Sequence, residues 1–129
     1  MSRVLLLCPE PLGHQHPAGV GIRFIEMARA LRSAGHTVTD LRPDGGAGDG
    51  CAALPSDPLT IRDTSDTSDA AVVQGHAAND YFAHARRIPT VVDLYDPFIV
   101  ENLHYYATHG PQVFAHDHAT VATSLRHGD

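Results

Sequence analysis

Apolar and polar positions along this chain fall into two kinds of segment. Val4-Leu-Leu-Leu-Cys8 is a continuous apolar run, the pattern of a strand covered on both faces. Between Gly21 and Ala34 the apolar residues Phe24, Met27, Ala28 and Leu31 recur three and four apart, which predicts a helix with one buried face and Gly35 as its stop. His36 to Leu41 reads as a second strand, Ala70 to Gln74 as a third and the β-branched run from Ile88 to Leu94 as a fourth. Helices are predicted over Ala78 to Arg87, Pro97 to Ala107 and Gln112 to His127, the last two separated by Gly110-Pro111. Residues 42–69 are crowded with Gly, Pro, Ser, Thr and Asp. They read as a long loop, in which Cys51 to Leu54 and Leu59 to Ile61 leave room for a short strand or a helical turn.

Strands that alternate with helices imply right-handed parallel βαβ units, hence an α/β, Rossmann-like, doubly wound sheet. Four strands in the order 3-2-1-4 are expected. A chain of 129 residues makes one domain, 1–129, with a self-standing core. In such sheets ligands bind outside the carboxyl ends of the strands, which directs attention to the loops after Cys8, Gln74 and Val92.

Composition narrows the classes. No apolar run approaches the ~20 residues of a membrane span, and the apolar part of the amino terminus is too short for a secretory signal. A cytoplasmic protein is expected. The two cysteines fit that: Cys8 reads as a small core residue, and a disulfide between it and Cys51 is possible but only weakly favoured. Net charge is −6, with nine arginines and no lysine. No basic stripe is present, so nucleic acid is not an expected partner. Ten histidines tie the charge to mildly acidic pH, since protonating all of them would bring it to +4.

Four constellations carry candidate chemistry. Pro17-Ala-Gly19-Val-Gly21 leads into the helix that holds Arg23, and a helix start with glycines suits a phosphate or carboxylate. Asp93, Tyr95 and Asp96 follow the fourth strand, with Glu101 and Asn102 on the next helix. Carboxylates there can accept hydrogen bonds from hydroxyls, or take a proton if burial raises their pKa. Asp96-Pro97 also has the form of an N-cap followed by proline in the first helical position. His76, after the third strand, points to the same end of the sheet. His14-Gln-His16 and His116-Asp-His118 are the metal candidates, but residues two apart on a helix point to different sides, and no native metal site is expected. Gly19-Val-Gly21 with Asp40 on the second strand imitates a dinucleotide fingerprint. Phe24 in place of the third glycine and the long gap after Cys8 argue against it.

Three of these segments, Arg3 to Gly13, Ala18 to Val38 and Val91 to Leu103, together with Asp69 to Gly75, resemble the amino-terminal domain of GT-B glycosyltransferases. They are most like the large retaining, sugar-nucleotide-dependent family (group 1, family 4-like). The resemblance spans most of the chain. It implies an incomplete GT-B amino-terminal domain: the acceptor-side half of an enzyme that transfers a hexose from a nucleotide sugar to a sugar or lipid-linked acceptor. It places the Gly19–Gly21 loop and Arg23 in the interdomain cleft, and Asp93 and Asp96 among the catalytic candidates. Gly19, Gly21, Arg23, His76, Tyr95 and Glu101 then become substrate-binding candidates, with no cofactor beyond the sugar nucleotide. Two departures stand out. Many members carry a cleft histidine near the position of Tyr95 or Asp96, which this chain lacks. The glutamate pair seven residues apart that retaining members carry in their donor-binding domain is also missing, since the only glutamates are Glu10, Glu26 and Glu101. Activity is therefore expected only with a donor-binding domain or partner chain. The alternative is a non-catalytic module that binds a small anion or sugar, or that dimerises.

Overall fold

The computed structural model describes residues 1–12, 19–48, 51–94 and 103–127. In chain order it contains β1 (Arg3–Leu7), α1 (Gly19–Ser33), β2 (Thr37–Arg42), β3 (Gly46–Gly48), β4 (Cys51–Pro55), α2 (Pro58–Thr67), β5 (Ala70–Gln74), α3 (Ala77–His84), β6 (Thr90–Asp93), α4 (Leu103–His109) and α5 (Pro111–His127). They form one six-stranded sheet in the order β3-β4-β2-β1-β5-β6. Every pairing is parallel except that of the short edge strand β3 with β4. The expected α/β, Rossmann-like kind of fold is present.

Strand count and order differ from the expectation in a specific way. The third expected strand, β5, lies between β1 and β6 rather than beyond β2. The outer place beside β2 is taken by β4, from the stretch read as a long loop. Numbering only the parallel strands, the order is 3-2-1-4-5, the usual Rossmann sequence with β4 as its third member. The pattern of Cys51-Ala-Ala-Leu-Pro55 is too short and too poor in β-branched residues to announce a strand. What makes it one is pairing: Asp40, Leu41 and Arg42 of β2 set its register against Ala53, Leu54 and Pro55.

The same stretch contains α2. Asp57 caps it by accepting from the backbone N–H groups of Leu59 and Thr60, both at 3.0 Å, and Pro58 fills the first position. The Thr/Ser/Asp near-repeat that reads as loop is the second half of this helix. Its hydroxyls fold back onto carbonyls one turn earlier, Ser65 Oγ to Arg62 O at 2.7 Å and Ser68 Oγ to Thr64 O at 2.8 Å. Ser65 Oγ also accepts from Arg86 N at 2.8 Å, which joins α2 to the segment after α3. Hydroxyls that usually compete with a helix are here absorbed by it.

Two apolar layers cover the sheet. On one face Leu6, Cys8 and Val72 pack against Val20, Phe24 and Ala28 of α1. On the other, Leu5, Leu7, Leu41, Ala71 and Val73 meet Ile61 of α2 and Ala77, Ala78 and Tyr81 of α3. The strict alternation along β1 and β5 is the two-residue pleat divided between two helical layers. Gly35, at φ 87°, ends α1 as predicted: Gly35 N donates to Arg32 O at 3.0 Å and His36 N to Leu31 O at 3.1 Å, the bond pair of a Schellman cap. α5 lies against α3, where Asn79 Nδ2 donates to Thr120 O at 3.3 Å, and is tied to α4 by Tyr106 Oη donating to Asp117 Oδ2 at 2.7 Å. None of the helices among the described residues is long and apolar enough to cross a membrane.

Candidate functional site

Parallel pairing brings the carboxyl ends of β1, β2, β4, β5 and β6 to one rim. Here chain segments far apart in sequence meet. Gln74 ends β5 and Asp93 ends β6, and the two are register partners. Gly75 N donates to Asp93 O at 3.0 Å, continuing the ladder past the strand. Because Gln74 is two residues from Val72, it lies on the α1 face, and so does its partner Asp93.

The amino-terminal part of α1 reaches this point through Arg23. Its Nε donates to Asp93 Oδ2 at 2.7 Å and its Nη2 to Asp93 Oδ1 at 3.0 Å, a two-pronged pair between residues seventy apart in sequence. The Asp93 side chain is 11% exposed and that of Arg23 is 55% exposed. Gln74 Nε2 adds a third donor to Asp93 Oδ2 at 3.2 Å. Burial pushes the Asp93 carboxyl up, but the Arg23 and Gln74 hydrogen bonds and the guanidinium charge together outweigh it. Its pKa lies below the ordinary carboxylate value. Asp93 in this arrangement is an anion, so the proton-accepting role that raised pKa would give it is not set up here. Arg23 is likewise directed at Asp93 and held more firmly protonated by it, with two of its donors already engaged. The two expected ligand groups thus recognise each other.

Gly19 opens α1, and a Cβ placed there would meet nothing within 4 Å. Gly21, the third residue of α1, is buried. The first turn of α1 carries no acidic residue, whereas α2 has its N–H groups closed by Asp57.

His76 stands just before α3 at the same rim but on the other side. Gly75, at φ 50°, makes the turn out of β5, and His76 makes no side-chain cap bond to the helix it precedes. With Cys8, Ser56, Ile61 and Asp80 it lines a recess of about 50 Å³. That is room for one or two waters, far below the ~300 Å³ at which small-molecule pockets begin. Burial pushes the Cys8 thiol up to about 11, so it stays protonated near neutral pH and is no nucleophile. Among the described residues the candidates at this rim therefore fall on two sides of the sheet. Arg23, Gln74 and Asp93 form one group on the α1 side, and His76 belongs to a small recess bordered by α2 and α3.

Tyr95, Asp96, Glu101, Asn102 and the pair His14 and His16 lie outside the described residues. His116 and His118 are both on α5, and no group of three or more His, Cys, Asp and Glu among the described residues comes together as a metal site. Asp40, the acid of the dinucleotide-like pattern, is buried and paired with Arg32 at 2.9 Å. It braces α1 against β2. Sequence reasoning passed over Gln74 in favour of its neighbour His76. The signal was available, since a polar residue ending an otherwise apolar, two-side-covered strand has to be placed by something polar. No protein-family model, curated protein or solved structure matches this chain.

Proposed function

We propose that this chain is the acceptor-side domain of a nucleotide-sugar-dependent glycosyltransferase acting in the cytoplasm, which transfers a hexose to an acceptor hydroxyl together with a donor-binding domain. The observation that carries the reading is convergence. The described parts of the segments that resemble the GT-B amino-terminal domain, residues 3–12, 19–38, 69–75 and 91–94, share one sheet and the helix on its face, and the last three meet at the rim through Arg23, Gln74 and Asp93. With Asp93 anionic and clamped, the rim offers positioning and hydrogen-bond acceptors rather than an acid or base. That suits a half-cleft whose catalysis depends on orienting an acceptor against a charge-stabilising donor domain.

The test uses the 129-residue chain with UDP-glucose and GDP-mannose, with and without a donor-binding domain carrying the paired glutamates, in the presence of lipid-linked and soluble acceptors. Transfer is expected only in the combined reaction. Efficient turnover by the 129-residue chain alone overturns the acceptor-side reading.

A second reading is a non-catalytic module that binds a small polar ligand or dimerises. The mutual pairing of Arg23 and Asp93 favours it, because it leaves no charged group of the pair uncommitted. β6 is an edge strand among the described residues, with Val91 62% exposed, and offers a surface for a second copy. Calorimetry with sugars and size-exclusion chromatography across a concentration series separate these outcomes from transfer.

A further inference from the structure

The strand order reverses between β1 and β5, since the chain builds outward from β1 through β2 to β4 and then returns to the opposite side of β1. Parallel sheets bind ligands outside this switch point. Gln74 ends β5 at the switch, level with Cys8 by continuation of the Leu7–Val73 pairing, on the face covered by α1. It is fully buried. Its amide orientation is settled by Asp93: with Nε2 donating to the carboxylate at 3.2 Å, the reverse placement would set carbonyl against carboxylate. Its Oε1 is consequently buried with no hydrogen-bond partner.

An orphaned buried acceptor is unfavourable, and each one calls for a reason. Packing supplies none, because methionine fills a similar volume without a polar atom. Asp93 stands beside it with lone-pair capacity to spare, since a carboxylate offers about four acceptor sites and three donors are accounted for. Arg23 neutralises that carboxylate, so the pair suits neutral donors more than a cation, and two adjoining acceptors suit a diol.

We propose that Gln74 is a specificity-determining residue whose Oε1 accepts a hydrogen bond from a hydroxyl of a neutral polyol, with Asp93 as the adjoining acceptor. The assignment rests on reading this rim as a sugar site, and names the residue that selects the sugar. It makes Gln74 a residue that costs the empty chain stability and serves the liganded one.

The experiment titrates the chain with methyl α-glucoside, methyl α-mannoside, methyl α-galactoside and myo-inositol, followed by amide chemical shifts, and measures thermal unfolding without ligand. Wild-type chain is expected to bind at least one of these probes with shifts centred on residues 74 and 93. Gln74→Met is expected to weaken that binding by about tenfold or more, while its ligand-free Tm stays equal to or above that of the wild type. Gln74→Glu keeps the acceptor but adds charge beside Asp93, and is expected to lose stability with falling proton concentration. Three results overturn the proposal: no probe binds the wild type, binding persists in Gln74→Met, or the ligand-free Tm of Gln74→Met falls, which assigns the amide a structural role or a buried water. Failure of the transferase reading looks different, with Gln74-dependent polyol binding intact but no transfer beside the donor domain. Conversely, transfer with an unchanged acceptor KM in Gln74→Met sinks this assignment alone.

Discussion

The two sides of the sheet rim solve the same problem in opposite ways. On the α1 side, Arg23, Gln74 and Asp93 are drawn from three elements into one hydrogen-bonded group in which the carboxylate has three donors. On the other, Cys8, His76 and Asp80 border a shallow recess without an interaction of that kind to set their chemistry. Residue types alone would rank the second group higher, since a thiol, an imidazole and a carboxylate together suggest nucleophilic catalysis. Geometry reverses the ranking. Burial disables the thiol, whereas the paired charge and its amide neighbour form a prearranged hydrogen-bonded group.

Four measurements can break the contrast. The largest effect is expected at Cys8. A thiol pushed from 9.0 to about 11 carries ~100-fold less thiolate at neutral pH, before any loss of access. In a Cys51→Ser background, alkylation of the folded chain by iodoacetamide should be at least that much slower than alkylation of the urea-unfolded chain. Rapid labelling of the native protein would restore the recess as a reactive site.

Next, Asp93→Ala leaves the buried Gln74 amide without its acceptor. A loss of about 2 kcal/mol in urea-unfolding stability is expected, from a lost charged hydrogen-bond group around a desolvated donor. A loss under half that size would show that the Arg23 clamp is a surface pair of the weak, screened kind.

Acid titration sharpens the point. Because the folded-state pKa of Asp93 is depressed, the unfolded chain binds the proton more tightly. The stability it contributes is complete above about pH 4, and is lost as pH falls through the lower folded value. Asp57 and Asp69 are shifted in the same direction by their own partners, so the informative quantity is a difference between proteins. Between pH 7 and pH 3 the wild type should lose more stability than Asp93→Asn. Parallel pH profiles would remove the ion pair from the account of the rim.

The smallest effect is expected for His76→Ala. An exposed side chain that makes no cap bond should change stability by less than about 0.5 kcal/mol. It should also leave polyol binding at the α1 side untouched. A large effect on binding would reunite the two halves of the rim.

Much of this architecture was legible in the chain. The continuous apolar runs at Val4 to Cys8 and Ala70 to Gln74, the helical spacing through Phe24, Ala28 and Leu31 and the stop at Gly35 all follow local rules, and local rules are what a sequence displays directly. The cap-and-proline signal read at Asp96-Pro97 was equally present at Asp57-Pro58, which begins α2. It was masked by the Thr/Ser/Asp run behind it, whose hydroxyls favour a loop until an apolar sheet and Arg86 give Ile61 and Ser65 a surface to settle on. The candidate site was legible only as a list: Arg23 and Asp93 were each singled out, but for outside ligands rather than for each other.

The sequence by itself determined the periodicities, and through them an α/β chain with most of its strands and helices in place. Tertiary structure decided the rest. β4 is a strand because β2 presents it with hydrogen-bonding groups, and β5 lies inside the sheet because the chain must return across β1 once the β4 edge is filled. Asp93 is an anion with three donors because parallel register set Gln74 beside it and α1 swung Arg23 over it. Pairings across seventy residues depend on how layers pack, and no local pattern of residues encodes which polar groups will share a rim.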